Sequence, residues 1–116
     1  MSDEQTEFID EQVYSWLEVH KKSALSYVIL SALSKREMWS QELTEWIFNK
    51  TGWSVTEKGL YRLLRRMQQA DTIDFKQIAA KRTGAKRKVF CITPNGKLVL
   101  GKIQEQLQYL TALNVT

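Results

Sequence analysis

Residues 56–70, with the sequence TEKGLYRLLRRMQQA, place apolar and basic side chains on opposite sides of a helix. With Leu60 at zero and about 100° per residue, Leu63, Leu64 and Met67 fall within about 60° of it and predict a buried stripe. Thr56 is positioned to cap the first amide groups of this helix. The rest of the chain must therefore supply elements that cover the leucines.

The opposite face of this helix is rich in hydrogen-bond donors. Four side chains lie within about 40° of the direction opposite Leu60, and two flank them; the six are Lys58, Arg62, Arg65 and Gln69, with Tyr61 and Arg66 on the shoulders. A helix with this face can enter the major groove of DNA, where Arg and Lys bind guanine and phosphate and Gln suits adenine. The alternative is a solvated basic surface, although such faces usually alternate Glu with Lys.

A second basic element follows the helix. Residues 73–78 and 89–92 have the composition of strands, and Thr83, Gly84 and Ala85 provide a turn, which predicts a β-hairpin. We call residues 76–88 the basic wing; its bases are Lys76, Lys81, Arg82, Lys86, Arg87 and Lys88, and no acid occurs among them in the sequence. We expect it to contact the DNA backbone or minor groove. Alone, it could equally be a flexible anion-binding loop.

The remaining segments complete a recognisable order of elements. We expect an amphipathic N-terminal helix from about Glu4 to His20, a buried helix over residues 23–33 and an extended stretch at residues 38–39. A helix capped by Ser40 should end near Lys50, and a last helix should begin at residues 93–94. The predicted fold is mainly α with a small β-hairpin, a winged helix-turn-helix (21–93) with extra N-terminal (1–20) and C-terminal (94–116) helices in a single domain, 1–116.

The last helix carries leucines and an isoleucine at heptad-like spacing, which predicts a dimerisation seam of Leu100, Ile103, Leu107 and Leu110. A two-fold homodimer would place two recognition helices about one DNA turn, ~34 Å, apart. The alternative is that this stripe packs on its own domain. The N-terminal helix could join the same interface.

Composition excludes several other classes of function. The longest apolar run is far shorter than the ~18 residues of a membrane span, and the acidic N-terminus lacks a secretory signal, so we expect a cytoplasmic protein. One cysteine, Cys91, and one histidine, His20, cannot supply a disulfide or a structural zinc site. We expect no catalytic activity and no bound metal or cofactor.

Four sequence segments resemble PadR-type winged-helix transcriptional regulators. They are YVILSAL (27–33), VTEKGLYRLLRRM (55–67), KVFCIT (88–93) and Gly96 with Leu98 and Leu100. The resemblance implies a DNA-binding dimer, usually a repressor, with Thr56, Tyr61, Arg62 and Arg65 at recognition-helix positions and the hairpin tip on the DNA backbone.

The chain departs from the pattern of that family in three places. Lys58-Gly59 replaces a glycine and a hydroxyl residue, Asp71 stands where a glycine usually ends the recognition helix, and Ser40-Gln41 replaces a glycine-tyrosine pair. Some members of the family bind small aromatic or drug-like effectors, and the sequence identifies no effector here. The alternative function is a winged-helix protein-interaction module whose basic face docks an acidic partner.

Overall fold

Four helices and three strands make up the part of the chain that the structure, a computed structural model, describes, residues 2–79 and 82–113. In chain order they are α1 (Asp3–Lys35), β1 (Met38–Trp39), α2 (Ser40–Thr51), α3 (Glu57–Gln69), β2 (Ile73–Ala79), β3 (Lys86–Ile92) and α4 (Pro94–Ala112). The strands form an antiparallel sheet in the order β1-β3-β2. This architecture confirms the mainly helical winged helix-turn-helix and the extended stretch at residues 38–39, which pairs with β3 of the hairpin as β1.

The prediction of two separate helices before residue 34 was wrong, because α1 is continuous over 33 residues. No glycine or proline occurs between residues 20 and 23 to interrupt the backbone hydrogen bonds. The Ser23 hydroxyl, expected near a helix start, instead donates to the carbonyl of His20 at 3.0 Å within the same helix.

The core lies where α1, α2, α3 and the sheet converge. Each helix contributes its apolar stripe, and the sheet contributes one face; the buried residues include Ile29, Leu30 and Leu33 of α1, Leu43 and Ile47 of α2, Leu60, Leu64 and Met67 of α3, and Met38, Ile73 and Phe90 of the sheet. The predicted stripe of α3 is therefore confirmed, with Leu63 half-buried at its edge.

Two of the predicted helix starts are confirmed by hydrogen bonds. The Thr56 hydroxyl accepts from the amide of Gly59 at 3.0 Å, and the Thr93 hydroxyl accepts from the amide of Gly96 at 2.9 Å. The third was wrong by one residue: the N-cap of α2 is Trp39 rather than Ser40. The Thr56 cap thus fixes the first turn of α3, and this turn carries Lys58, the first basic residue of the helix.

A hydrogen-bonded junction joins the end of α3 to the start of α4. Asp71 adopts a left-handed backbone conformation with φ of 60°, and its carbonyl accepts a hydrogen bond from the Thr93 hydroxyl at 2.6 Å. Aspartate tolerates this conformation better than most residues, which explains how it occupies a position where glycine is usual. Thr72 is buried beside it, and its carbonyl accepts from the Thr93 amide at 3.1 Å.

The first half of α1 extends beyond the packed body. Residues 2–20 are all exposed, and the molecule measures 58 × 31 × 21 Å along its principal axes. None of the described helices combines the length and apolar character required to cross a bilayer.

Candidate nucleic-acid interface

The basic face of α3 lines a cleft between that helix and β3. The cleft has a volume of about 530 Å³, and its walls are formed by Lys58, Tyr61, Arg62, Leu64, Arg65 and Gln68 of α3 with Lys88 and Phe90 of β3. All of the polar side chains in this set are exposed. The structure therefore brings four predicted residues of α3 together with one of the wing, Lys88.

The cations of α3 form no ion pair within residues 2–79 and 82–113. Among the side chains that the structure describes, two ion pairs join Arg36 to Glu42 at 2.8 Å and Lys76 to Glu37 at 2.9 Å, and neither includes a residue of α3. An exposed cation without a protein counter-charge keeps its full attraction for a phosphate. The charge of Arg62 and Arg65 is therefore available to a ligand.

The register of the hairpin divides the basic wing between two faces of the sheet. Residues paired across an antiparallel sheet share a face, and successive residues alternate. Lys88 pairs with Gln77 and Lys86 with Ala79, on the face that includes the buried Phe90. Lys86 and Lys88 thus belong to the same side as α3, and the Lys88 ammonium lies 4.4 Å from the ring of Phe75.

Arg87 lies on the opposite, outer face of the sheet. Its guanidinium is 4.2 Å from the ring centroid of Trp39, at the start of α2. A cleft on this outer face is lined by Arg87 and Trp39 together with Arg82. Partial burial raises the pKa of Glu42 nearby, but hydrogen bonds from Arg36 and the Trp39 amide, with the charges of Arg36 and Arg87, lower it overall. The predicted trio of residues 86–88 is therefore split by the fold.

Lys76 also lies on the outer face, because it pairs with Val89 in the sheet. Its ammonium donates to the carboxylate of Glu37 at 3.1 Å, which raises its pKa. Although no acid occurs within residues 76–88 of the sequence, the fold brings the Glu37 carboxylate against one base of the wing. The sequence could not reveal the pair, since Glu37 precedes Lys76 by 39 residues.

The other predicted DNA-binding residues occupy separate positions. Thr56 caps α3, Gln69 is exposed in the last turn of α3, and Arg66 borders a different cavity with Lys21 and Leu25 of α1. Lys81 lies outside the described residues. Gln68 was missed by the sequence analysis, although its angle of about 80° from Leu60 places it on the same shoulder as Tyr61.

The four residues of the predicted dimerisation seam of α4 differ in burial, from buried at the N-terminal end to exposed at the C-terminal end. Leu100 is buried in the core with 7% of its surface exposed, and Ile103 and Leu107 are half-buried. Leu110 is 61% exposed. The alternative that the stripe packs on its own domain is therefore correct for Leu100, while the C-terminal end of α4 presents apolar surface to solvent.

Comparison with known proteins identifies one matching family. The family model described as the transcriptional regulator PadR-like family matches residues 29–102. No curated protein matches the chain.

Three solved structures illustrate the similarity. A PadR-like transcriptional regulator from Bacillus cereus is 28% identical, with 79% of this chain and 88% of that chain covered at a TM-score of 0.71. A PadR family transcriptional regulator from Eggerthella lenta shares the fold at 20% identity, with 93% and 97% covered and a TM-score of 0.75. Bacillus subtilis PadR in complex with operator DNA is 26% identical, with 69% of this chain and 46% of that chain covered at a TM-score of 0.62.

Proposed function

Because the chain belongs to the PadR-like family of transcriptional regulators, we propose that it binds specific sequences of double-stranded DNA as a homodimer and represses transcription. The observation that carries this proposal is the exposed, acid-free face of α3 in a cleft shared with Lys88. The structure of Bacillus subtilis PadR with operator DNA supports the choice of ligand.

We assign base recognition to the face of α3. Arg62 and Arg65 carry planar guanidinium groups that can donate two hydrogen bonds to a guanine edge, and Tyr61 lines the same cleft. Lys58 and Gln69 lie on this face and Arg66 lies on its shoulder, and we assign to them contacts with phosphates or neighbouring bases.

In the wing we assign phosphate contact to Lys86 and Lys88, because these two residues lie on the face of the sheet that is turned toward α3. Arg87 instead packs on Trp39 and ties the wing to the start of α2, so we assign it a positioning role. Arg82 lies near the turn and would reach the backbone only if the wing enters a groove.

The homodimer rests on apolar surface that the protomer does not cover. Leu98, Tyr109 and Leu110 of α4 and its C-cap Leu113 are 61–78% exposed, and a groove of about 380 Å³ is lined by residues of this helix. Contiguous exposed apolar surface of this kind marks an interaction site. A dimer across two half-sites would occlude the intervening DNA, and repression follows from that exclusion.

A fluorescence titration with duplex DNA at two salt concentrations tests the proposal. We expect a steep loss of affinity with salt, a preferred sequence, and strong weakening by Arg62→Gln. Lys97→Gln is the matched control, because it removes the same charge from an exposed position on α4. Absence of duplex binding near physiological salt would refute the proposal and favour a module that docks an acidic protein.

A further inference from the structure

The flank of α3 that lies away from the wing borders a second cleft, with a volume of about 530 Å³. With Leu60 at zero and about 100° per residue, Tyr61 lies about 100° to one side of it and Arg66 about 120° to the other. Tyr61 shares its cleft with Lys88 of the wing, and Arg66 lines the second cleft. The exposed basic face of α3 therefore lies between two clefts.

Lys21 of α1 lines the second cleft together with Arg66 of α3. Lys21 is half-buried, and its ammonium lies 5.9 Å from the ring centroid of Trp53. An aromatic ring carries no net charge, so this contact holds the ammonium in place without neutralising it. Neither cation is paired with an acid among the side chains that the structure describes.

The charges near this cleft favour an anionic ligand. The described residues that line it include two cations and no acid. Glu57 is the only acid of α3, and it lies about 180° around the helix from Arg66. The carboxylate of Glu57 therefore belongs to the opposite flank of α3, and the charge of Arg66 is available on its own side.

The dimensions of a helix and of the major groove indicate which anion would reach this flank. A helix with its side chains is about 10–12 Å across, and the major groove is about 12 Å wide. When α3 enters the groove, each of its flanks must therefore face a row of phosphates. Lys88 of the wing lies beside one row, and the flank with Arg66 faces the other.

We propose that Lys21 and Arg66 together bind a phosphate of the duplex on the side of the major groove opposite the wing; this inference rests on the proposed function. Arg66 follows Arg62 by one helical turn and is rotated from it by about 40°. The phosphate is thus placed next to the bases that we assign to Arg62, which favours the DNA backbone over a free anion.

This site gives α3 a support on each side. Because Lys21 belongs to α1, its contact with the backbone would hold the body of the domain, whereas Arg66 would hold α3 itself. Phosphate contacts of this kind fix the orientation of a recognition helix and carry no sequence information. Lys21 is therefore expected to affect affinity equally for all sequences.

Neutral phosphate analogues locate the contact directly. A duplex that the protein binds is synthesised with one methylphosphonate at a time, so that each version lacks a single backbone charge, and binding is measured by fluorescence anisotropy. We expect the wild-type protein to lose affinity about 10-fold wherever a charge-assisted hydrogen bond is removed. Lys21→Gln should become insensitive at one of these phosphates in each half-site and keep the wild-type response at the others.

The position of that phosphate is part of the expected result. Arg66→Gln should become insensitive at the same phosphate as Lys21→Gln, because the two cations line one cleft. Lys88→Gln should become insensitive at a phosphate on the other side of the major groove. If Lys21→Gln and Arg66→Gln responded at different phosphates, the shared site would be wrong.

Two further variants separate phosphate binding from a structural role of Lys21. Lys21→Arg retains a positive charge and its donors, so it should keep the wild-type response at every phosphate. Lys97→Gln removes an exposed charge from α4 and should also keep it. If Lys21 only packs on Trp53, Lys21→Gln would weaken binding to all duplexes evenly and leave the pattern of sensitive phosphates unchanged, which would overturn the proposal.

Salt dependence provides an independent measurement. Lys21→Gln should lower the slope of log affinity against log salt by about 1.8 in a dimer, since each protomer loses one phosphate contact. A wild-type protein that binds duplex DNA, together with an unchanged slope and an unchanged pattern for Lys21→Gln, overturns this site and leaves the proposed function standing. A wild-type protein that binds no duplex overturns both.

Discussion

Adjacent cations on β3 offer a matched pair of substitutions for the proposed DNA interface. Lys88 lines the cleft with α3, and Arg87 packs on Trp39 on the opposite face of the sheet. Lys88→Gln and Arg87→Gln each remove one charge from neighbouring positions of the same strand. We expect only the first to remove a phosphate contact.

The size of the expected change in salt dependence follows from counterion release. Each lost phosphate contact lowers the slope of log affinity against log salt by about 0.9, so two contacts in a dimer lower it by about 1.8. Between about 50 and 200 mM salt, that change makes the salt-induced loss of affinity about 12-fold smaller for Lys88→Gln. Arg87→Gln should leave the slope unchanged and lower the free energy of unfolding by about 0.5–1 kcal/mol through lost stacking on Trp39.

Fluorescence anisotropy with a labelled duplex at four salt concentrations measures both slopes, and urea unfolding measures the stability of each variant. If Arg87→Gln flattened the slope as much as Lys88→Gln did, Arg87 would contact phosphate, and the division of the wing into a binding face and an anchoring face would be wrong.

Three further outcomes are expected. Gly96→Ala should lower the free energy of unfolding by about 3 kcal/mol in urea, because a Cβ there would collide with the backbone carbonyl of Thr72. Glu42→Gln should cost about 0.5 kcal/mol at pH 7; since the folded pKa of Glu42 is below its ordinary 4.5, unfolding measured against pH should show this difference shrinking as the pH falls below that value. Leu100→Ala should cost about 2–5 kcal/mol of stability, whereas Leu110→Ala should weaken only dimerisation in sedimentation, because Leu110 is exposed.

The sequence was sufficient to predict burial and helix starts where these depend on local periodicity and capping. The angle of each residue around α3 predicted both its buried leucines and its exposed basic face, and the hydroxyls of Thr56 and Thr93 marked the helix starts. These features depend on neighbours within four residues, so the pattern of the chain contains them.

The faces of the wing could not be predicted in the same way. A run of cations such as residues 86–88 gives no apolar alternation to indicate which side chains face α3. The answer depends on contacts between distant segments, such as Trp39 beneath Arg87 and Glu37 beside Lys76.

The continuity of α1 was missed for a related reason. Residues 2–20 are all exposed, whereas residues 24–33 pack into the core, so the apolar pattern changes near residue 21 and suggests a break. Helix continuity depends instead on the absence of a backbone breaker.

Selection of bound duplexes from a random pool is the most direct test of the claim that α3 reads DNA sequence. We predict enrichment of two inverted half-sites about 10 base pairs apart between centres. Arg62→Ala should lose about 1–3 kcal/mol of preference at one position of each half-site, while Lys97→Gln should retain the whole site. A wild-type chain that enriches no sequence from the pool would contradict the account.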